Sequence, residues 1–341
     1  MRKGIAAAAL AAGLGGAASP AAAYTALYAF GDSLSDVGNV YAASGGAIPI
    51  SPYYAGRFSN GPNWVDDLSA KLGLGAVTPS AAGGNDFAVG GAQTGTTIVN
   101  PKPIPLVDLD QQVQEFKLLD PSPTAGALYT LDIGANDIGN ALGADASNSA
   151  ALTTFLEQAV GNTVHAVDDL FADGARNLLY FETPDLSVVP AFEKYGSQAG
   201  TLAQEFNTDV LSGIAPLEAQ GLTVFDAPIF NDIQAIVADP GRYGLANVTS
   251  PCFSGNYDTP GTECSDPNSY LFWDTEHPTA AAHALVADVA YDVLQGQSGT
   301  LSAPEPATWV MMLMGFAGLA VVGGASRRRA ALATVRARKR P

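Results

Sequence analysis

Two cysteines and three histidines in 341 residues leave little material for a transition-metal site. Cys252 and Cys264 have no second cysteine pair and no neighbouring histidine to complete a zinc-type ligand set. No D-x-[DN]-x-[DN]-G pattern offers a calcium loop, so the acidity of the chain does not translate into a metal site. Basic residues are scarce too: 16 Lys+Arg stand against 33 Asp+Glu, and nine of the 16 lie in the two terminal segments. Between Tyr24 and Pro304 there are 32 acidic and 7 basic side chains, a formal charge of −25. Such a body repels nucleic acid, anionic lipid surfaces and polyanionic substrates at long range, and the same charge favours solubility. Internal repeats and long low-complexity linkers are absent before Ser302, so the body of about 280 residues is expected to be one decorated unit.

The ends differ from the body. Arg2 and Lys3 precede an Ala/Leu/Gly run, and Ala21-Ala22-Ala23 form an A-x-A exit, the pattern of a cleaved export signal. Residues 1–23 are therefore read as signal peptide and the mature chain as starting near Tyr24. In the oxidising compartment beyond the membrane, Cys252 and Cys264 are expected to form one local disulfide. It would close a loop of about a dozen residues and stabilise by about 2–3 kcal/mol. At the other end Pro304-Glu305-Pro306 precedes nineteen uncharged residues, 307–325, and then Arg327-Arg328-Arg329. A helix of that length spans about 28 Å, enough for a hydrocarbon core. The cluster that continues through Arg336, Arg338, Lys339 and Arg340 should remain cytoplasmic.

Those three parts, over 302–341, resemble the PEP-CTERM sorting signal of exported Gram-negative proteins. The resemblance implies cleavage by an exosortase-type processing enzyme, a transient membrane anchor through the helix at about 307–325, and delivery to the cell surface or extracellular matrix. A plain membrane anchor is the alternative reading.

Between the ends, short apolar runs alternate with helical periodicity. Runs at 26–30, 86–89, 128–133, 178–181 and 223–226 read as buried strands, and 63–72, 109–119, 151–171, 198–218 and 279–294 read as helices. Strand–helix alternation predicts an α/β fold with a parallel sheet covered on both faces, with its site beyond the carboxyl ends of the strands. Reading those ends in order gives Gly31-Asp32-Ser33, Gly90-Gly91, Gly134-Ala135-Asn136 and Thr183-Pro184-Asp185.

Hydrolysis by serine needs a base in hydrogen-bond reach, a group that orients the base, and donors for the oxyanion. Ser33 follows the first strand at a sharp Gly-Asp-Ser turn, where a helix N-terminus would offer its N–H; a serine there is more commonly only a cap. Of the three histidines, His165 lies mid-helix and His283 inside the last helix, both suited to structural roles. His277 lies in Asp274-Thr275-Glu276-His277-Pro278, where one rigid turn presents carboxylate and imidazole on the same side. Gly91 offers backbone access without a Cβ and Asn136 a side-chain amide, although Gly90-Gly91 also suits a plain turn and Asn136 the cap of a helix starting at Asp137.

Taken together these segments resemble the SGNH/GDSL hydrolase family. Phe30-Gly31-Asp32-Ser33-Leu34-Ser35-Asp36-Val37-Gly38-Asn39 is similar to its first block, Phe87-Ala88-Val89-Gly90-Gly91-Ala92 to its second, Gly134-Ala135-Asn136-Asp137 to its third and Asp274-Thr275-Glu276-His277-Pro278 to its fifth. The stretch Gly56-Arg57-Phe58-Ser59-Asn60-Gly61 with Trp64 is similar to one found in larger lipase-like members. The resemblance implies a three-layer sandwich with a flavodoxin-like five-stranded parallel sheet, occupying 24–301. It also implies a triad of Ser33, Asp274 and His277 and an oxyanion hole of Ser33, Gly91 and Asn136, with Gly90 the register alternative. The G-x-S-x-G elbow of the α/β-hydrolases is absent.

The activity implied is hydrolysis of carboxylic esters through an acyl-enzyme on Ser33, with an ester or lipid as partner and without metal or organic cofactor. Short to medium acyl chains are expected, followed by phospholipids and O-acetyl groups on polysaccharide. A peptidase or acyltransferase with the same triad and a non-catalytic matrix-binding protein are the competing classes. Tyr53, Tyr54, Phe58 and Phe253 suit either an apolar acyl site or ordinary packing, and packing is the commoner reason.

Overall fold

The computed structural model of the protein describes residues 24–95, 107–119, 125–297, 299 and 301. In chain order the elements are β1 (Leu27–Gly31), α1 (Asn39–Ala43), α2 (Trp64–Leu72), α3 (Leu109–Leu119), β2 (Leu128–Asp132), α4 (Ala135–Asp145) and α5 (Ser149–Asp173). There follow β3 (Asn177–Phe181), α6 (Ser197–Glu218), β4 (Thr223–Ala227), α7 (Ile229–Ala238), β5 (Asn247–Pro251), β6 (Tyr270–Phe272) and α8 (Ala280–Leu294). The first four strands form one parallel sheet in the spatial order β1-β2-β3-β4, with Leu27 opposite Leu128, Tyr129 opposite Leu178 and Asn177 opposite Thr223. Parallel neighbours need long crossovers, and the apolar-faced helices between the runs supply them.

The sheet has four strands among the described residues, not the expected five. Residues 85–89 do lie along the free edge of β1: Phe87 N donates to Ala29 O at 2.7 Å, Val89 N to Gly31 O at 3.1 Å, and Ala29 N to Asn85 O at 3.1 Å. The pairing stops at a single parallel bridge because Gly31 N, which would continue it to Phe87 O, donates instead to Gln112 Oε1 at 2.9 Å. On its other side Asp86 donates its N–H to Thr78 O and its carbonyl accepts from Ser80 N, while its carboxylate accepts the N–H of Val37 and of Ala88. One side-chain bond has displaced a rung of the ladder. The order from this edge is nevertheless outward from β1 and then back across β2 to β4, so the carboxyl ends of β1 and β2 flank the point where the order reverses. Open α/β sheets bind ligands there.

The central strand β2 is buried at every position, as expected of a parallel strand covered on both faces. Helix α2 packs on α8, and α3, α4 and α6 pack around α5. The five helices expected from periodicity are α2, α3, α5, α6 and α8, each within two residues of its expected bounds. Helix α2 is closed by a reciprocal capping box, Asp66 N to Asn63 Oδ1 and Asn63 N to Asp66 Oδ2, and ends on the left-handed Gly73. Helices α1 and α7 and the two-stranded β5/β6 sheet were not expected, and α4 starts at Ala135, two residues before the start considered at Asp137.

Cys252 and Cys264 form the expected disulfide, with Cα atoms 4.9 Å apart. It borders a satellite cluster of Tyr53, Cys252, Phe253 and Trp273, separate from the main core. No helix among the described residues is long and apolar enough to cross a membrane. The expected signal at 1–23 and the tail at 302–341, including the helix at about 307–325, lie outside the described residues.

Candidate active site

The chain leaves β1 through a single turn held by Asp32. Its carbonyl accepts from Ser35 N at 3.2 Å and Asp36 N at 3.0 Å, and its Oδ1 accepts Leu34 N at 3.1 Å. No helix starts at Ser33; the next, α1, begins at Asn39, which corrects the expected helix N-terminus. The rest of the first block fastens this turn to the 86–90 segment. Asp36 is buried and accepts the N–H groups of Gly38 (2.7 Å), Asn39 (2.6 Å), Val40 (3.2 Å) and, across the site, Gly90 (2.8 Å). The Asn39 amide donates to the carbonyls of Asp86 and Ala88 at 2.8 and 2.9 Å. Ser35 donates to Asp132 at the end of β2 and accepts from Trp64 Nε1, both at 3.1 Å. The sequence displayed these residues as parts of a motif but gave no sign of which groups they bond.

Ser33, His277 and Asp274 form one continuous chain. Ser33 Oγ lies 2.9 Å from His277 Nε2, and His277 Nδ1 lies 2.8 Å from Asp274 Oδ2 and 3.0 Å from Oδ1. With Nδ1 protonated toward the carboxylate, Nε2 is the acceptor for the serine hydroxyl. The Asp274 turn is built as the spacing required: Oδ1 accepts the N–H of Glu276 at 2.7 Å and of His277 at 2.8 Å, and Trp273 N donates to His277 O. A fourth group, missed by sequence reasoning, joins them: the buried Tyr53 hydroxyl donates to Asp274 Oδ2. Its ring packs edge-on to Phe253 and Trp273 in the satellite cluster.

The electrostatics follow from burial and pairing. Burial pushes the Asp274 carboxyl up, but His277, the Tyr53 hydroxyl and the Glu276 N–H together hold it below the ordinary aspartate value. Burial pulls the His277 imidazole down, and the facing Asp274, with Glu276 and Asp32 farther off, raises it above 6.5 overall. Burial raises the Asp32 carboxyl, opposed by the Leu34 N–H, His277 and the Asn136 amide.

Among the described residues no acceptor takes the backbone N–H of Ser33 or of Gly91. The Gly90 N–H is committed to Asp36, which favours Gly91 over its register alternative as an available donor. Gly91 has φ of +83°, a conformation suited to glycine, and a Cβ on Gly90 would overlap the Phe58 ring. That ring sits 5.2 Å from the His277 ring. Asn136 is the second residue of α4, whose cap position is Gly134, so it is not a helix cap. Its amide donates to Asp32 Oδ2 at 3.2 Å and to Ala92 O at 3.0 Å, tying together the turns after β1 and after Gly91.

These groups open onto a groove of about 400 Å³ that is also lined by Asn140, Lys194, Tyr195, Tyr257, Leu186 and Phe192. Of the four aromatics considered from sequence, Tyr53 and Phe253 serve packing and the triad, Phe58 backs His277, and Tyr54 is exposed. The groove takes its aromatic residues from elsewhere. His165 is exposed and His283 is buried on α8, as expected of structural histidines.

Comparison with known proteins adds to this geometry. Residues 27–290 match the family model of GDSL-like lipase/acylhydrolase, and residues 302–329 match the PEP-CTERM protein-sorting motif. The chain is 27% identical over 324 residues to a phosphatidylcholine-sterol acyltransferase of Aeromonas hydrophila, covering 82% of this chain and 93% of the relative. It is 30% identical over 310 residues to a GDSL esterase/lipase of Arabidopsis thaliana, covering 76% and 84%. It is 27% identical over 283 residues to the thermolabile hemolysin of Vibrio parahaemolyticus, covering 76% of this chain and 61% of that longer protein. Among solved structures, an acetylxylan esterase from Geobacillus stearothermophilus is similar at 13% identity and a TM-score of 0.44, covering 82% of this chain and 97% of the other.

Proposed function

From the premise that the chain belongs to the GDSL-like lipase/acylhydrolase family, a family of carboxylic ester hydrolases, we propose that it is an exported serine esterase acting through an acyl-enzyme on Ser33. The observation that carries this reading is the unbroken hydrogen-bonded chain Ser33–His277–Asp274 beside the backbone N–H groups of Ser33 and Gly91, which no acceptor takes among the described residues.

The roles are these. Ser33 Oγ attacks the ester carbonyl carbon as His277 Nε2 takes its proton, and Asp274 stabilises the imidazolium formed. The carbonyl oxygen becomes an oxyanion facing the N–H of Ser33, the N–H of Gly91 and the Asn136 amide. For the amide to serve, one of its N–H bonds moves from Asp32 or Ala92 O to the oxyanion. The carbon–oxygen bond to the alcohol then breaks and His277 returns the proton to the leaving oxygen. Water repeats the sequence, giving up a proton to His277 and releasing the carboxylic acid with Ser33 restored. The polar lining by Asn140, Lys194 and Tyr195 favours a polar alcohol moiety, as in an O-acylated sugar or a phospholipid headgroup. The matched sorting motif supports export across the inner membrane, anchoring through the tail and removal of that tail by an exosortase-type enzyme.

A fluorophosphonate probe tests the central claim. The adduct should map to Ser33 by mass spectrometry and disappear in Ser33→Ala, together with turnover of p-nitrophenyl esters. An adduct on another serine, or hydrolysis undiminished in Ser33→Ala, overturns it.

A further inference from the structure

Behind the nucleophile lies a second, smaller space. Leu34 and Glu276, the residues next to Ser33 and His277, line both the open groove and an inner cavity of about 40 Å³, and so do Pro184 and Val189. The two spaces therefore share a wall of four residues beside Ser33, which itself lines the open groove. The inner walls are Trp64, Phe181, Ile229, Ile233, Phe272 and Val286, all buried. The exception to this apolar lining at depth is His283, whose Nδ1 accepts the Trp64 backbone N–H at 3.3 Å. Burial, with His277 nearby, pushes its pKa down to about 3, so the ring is neutral throughout the working range; the carboxylate in the lining, Glu276, is exposed and belongs to the wall shared with the open groove. A water needs two to four polar partners to be stable, and apolar cavities of this kind stay dry and accept apolar guests.

Resting on the esterase reading above, we propose that this cavity is the acyl-chain site and that it selects short, linear acyl groups. At about 40 Å³ the cavity is a tenth of the groove, room for a short acyl chain and not for a long one. The acyl chain of a butyrate or pentanoate ester fills it; an octanoate does not fit. The chain enters between Leu34 and Val189 with the carbonyl carbon on Ser33, and the alcohol is left in the wide polar groove, where Lys194 and Asn140 lie. This division places the apolar part of the ester against apolar walls and the polar part in water.

The test is kcat/KM of the purified mature protein for p-nitrophenyl acetate, propionate, butyrate, pentanoate, hexanoate and octanoate. Each methylene that enters an apolar site should raise kcat/KM about fourfold, until the site is full. The expected profile rises through butyrate or pentanoate and falls by octanoate. A flat profile, or one still rising at octanoate, overturns the assignment. Ile233→Phe fills the cavity from α7 and should lower the butyrate-to-acetate ratio at least tenfold; taking the ratio within each variant cancels any loss of folded enzyme. Val286→Ala enlarges the cavity more gently and should move the optimum one or two carbons longer. An unchanged optimum in Val286→Ala overturns the proposal even if Ile233→Phe fails to fold. Fluorophosphonate labelling at Ser33 with acetate hydrolysis but no chain-length dependence removes the cavity assignment and leaves the esterase standing. Absence of labelling and of hydrolysis at every length removes both.

Discussion

Tyr53→Phe removes a single oxygen from the triad's support and leaves the ring in place. Asp274 accepts four hydrogen bonds: Glu276 N and His277 N on Oδ1, His277 Nδ1 and the Tyr53 hydroxyl on Oδ2. The variant loses one, while the edge-on contacts to Phe253 and Trp273, at centroid distances of 5.7 and 6.0 Å, persist. A hydrogen bond to a buried charged acceptor is worth about 1.5–3 kcal/mol, so the fold should lose about that much at neutral pH. Burial and the facing carboxylate raise the Tyr53 hydroxyl's own pKa, so it remains a donor throughout. Asp274 is held below 3.8 in the fold; its bonds therefore stabilise above that value, and their contribution fades as pH falls through the lower folded-state value. The deficit should be full at pH 7 and shrink in acid, as measured by urea denaturation across pH.

Catalysis should respond differently. Without the tyrosine proton, Asp274 keeps more negative charge for the imidazolium, so His277 becomes more basic and the acid limb of kcat/KM moves to higher pH. Three remaining bonds keep the carboxylate oriented, so kcat should fall only about tenfold, against about 10⁴ when a triad aspartate becomes asparagine and the wrong tautomer is held. An acid limb that stays put or moves to lower pH refutes the electrostatic argument. A loss as large as that of Asp274→Asn would instead make Tyr53 the dominant orienting group.

Two further measurements bear on the site and on the ends. Asn136→Ala should lower kcat about 10²–10³-fold, or about 2.7–4 kcal/mol, with KM little changed, if the amide reaches the oxyanion; a variant that loses only stability would confine Asn136 to joining the turns at Asp32 and Ala92. Near-normal kcat in Asn136→Asp would exclude the oxyanion role, since that carboxylate would stand where the oxyanion forms. Intact-mass analysis of the protein from a host with sorting machinery should show a mature chain starting near Tyr24 and ending near Pro304-Glu305-Pro306, whereas a stable membrane species retaining Arg327 to Arg340 would favour the plain anchor.

The sequence by itself determined the four strands of the sheet, the five longer helices and the candidates for the reacting residues, for reasons that are local. Apolar runs such as 128–133 need burial on both faces whatever their neighbours are. The spacing of Asp274 and His277 is closed by one turn, so their pairing needs no distant partner. With three histidines in the chain, the base had few alternatives. The disulfide was legible for the same reason, since Cys252 and Cys264 are twelve residues apart and had only each other.

What the tertiary structure decided depends on residues far apart in the chain. The 86–89 run has the composition of a strand, yet its next rung is lost because Gly31 N donates to Gln112 Oε1, 81 residues away, and no local pattern reports that. Asn136 reads equally well as a cap or a donor until α4 is seen to begin before it and its amide to reach Asp32, 104 residues away. The Gly90 N–H is taken by a carboxylate 54 residues distant, Asp36, and no local pattern reports that. Tyr53 bonds Asp274 across 221 residues. The acyl cavity is enclosed by α2, β3, α7, β6 and α8 together. Side-chain bonds and cavities of this kind are made where elements pack, and their geometry is set by that packing, which periodicity and motif spacing do not encode.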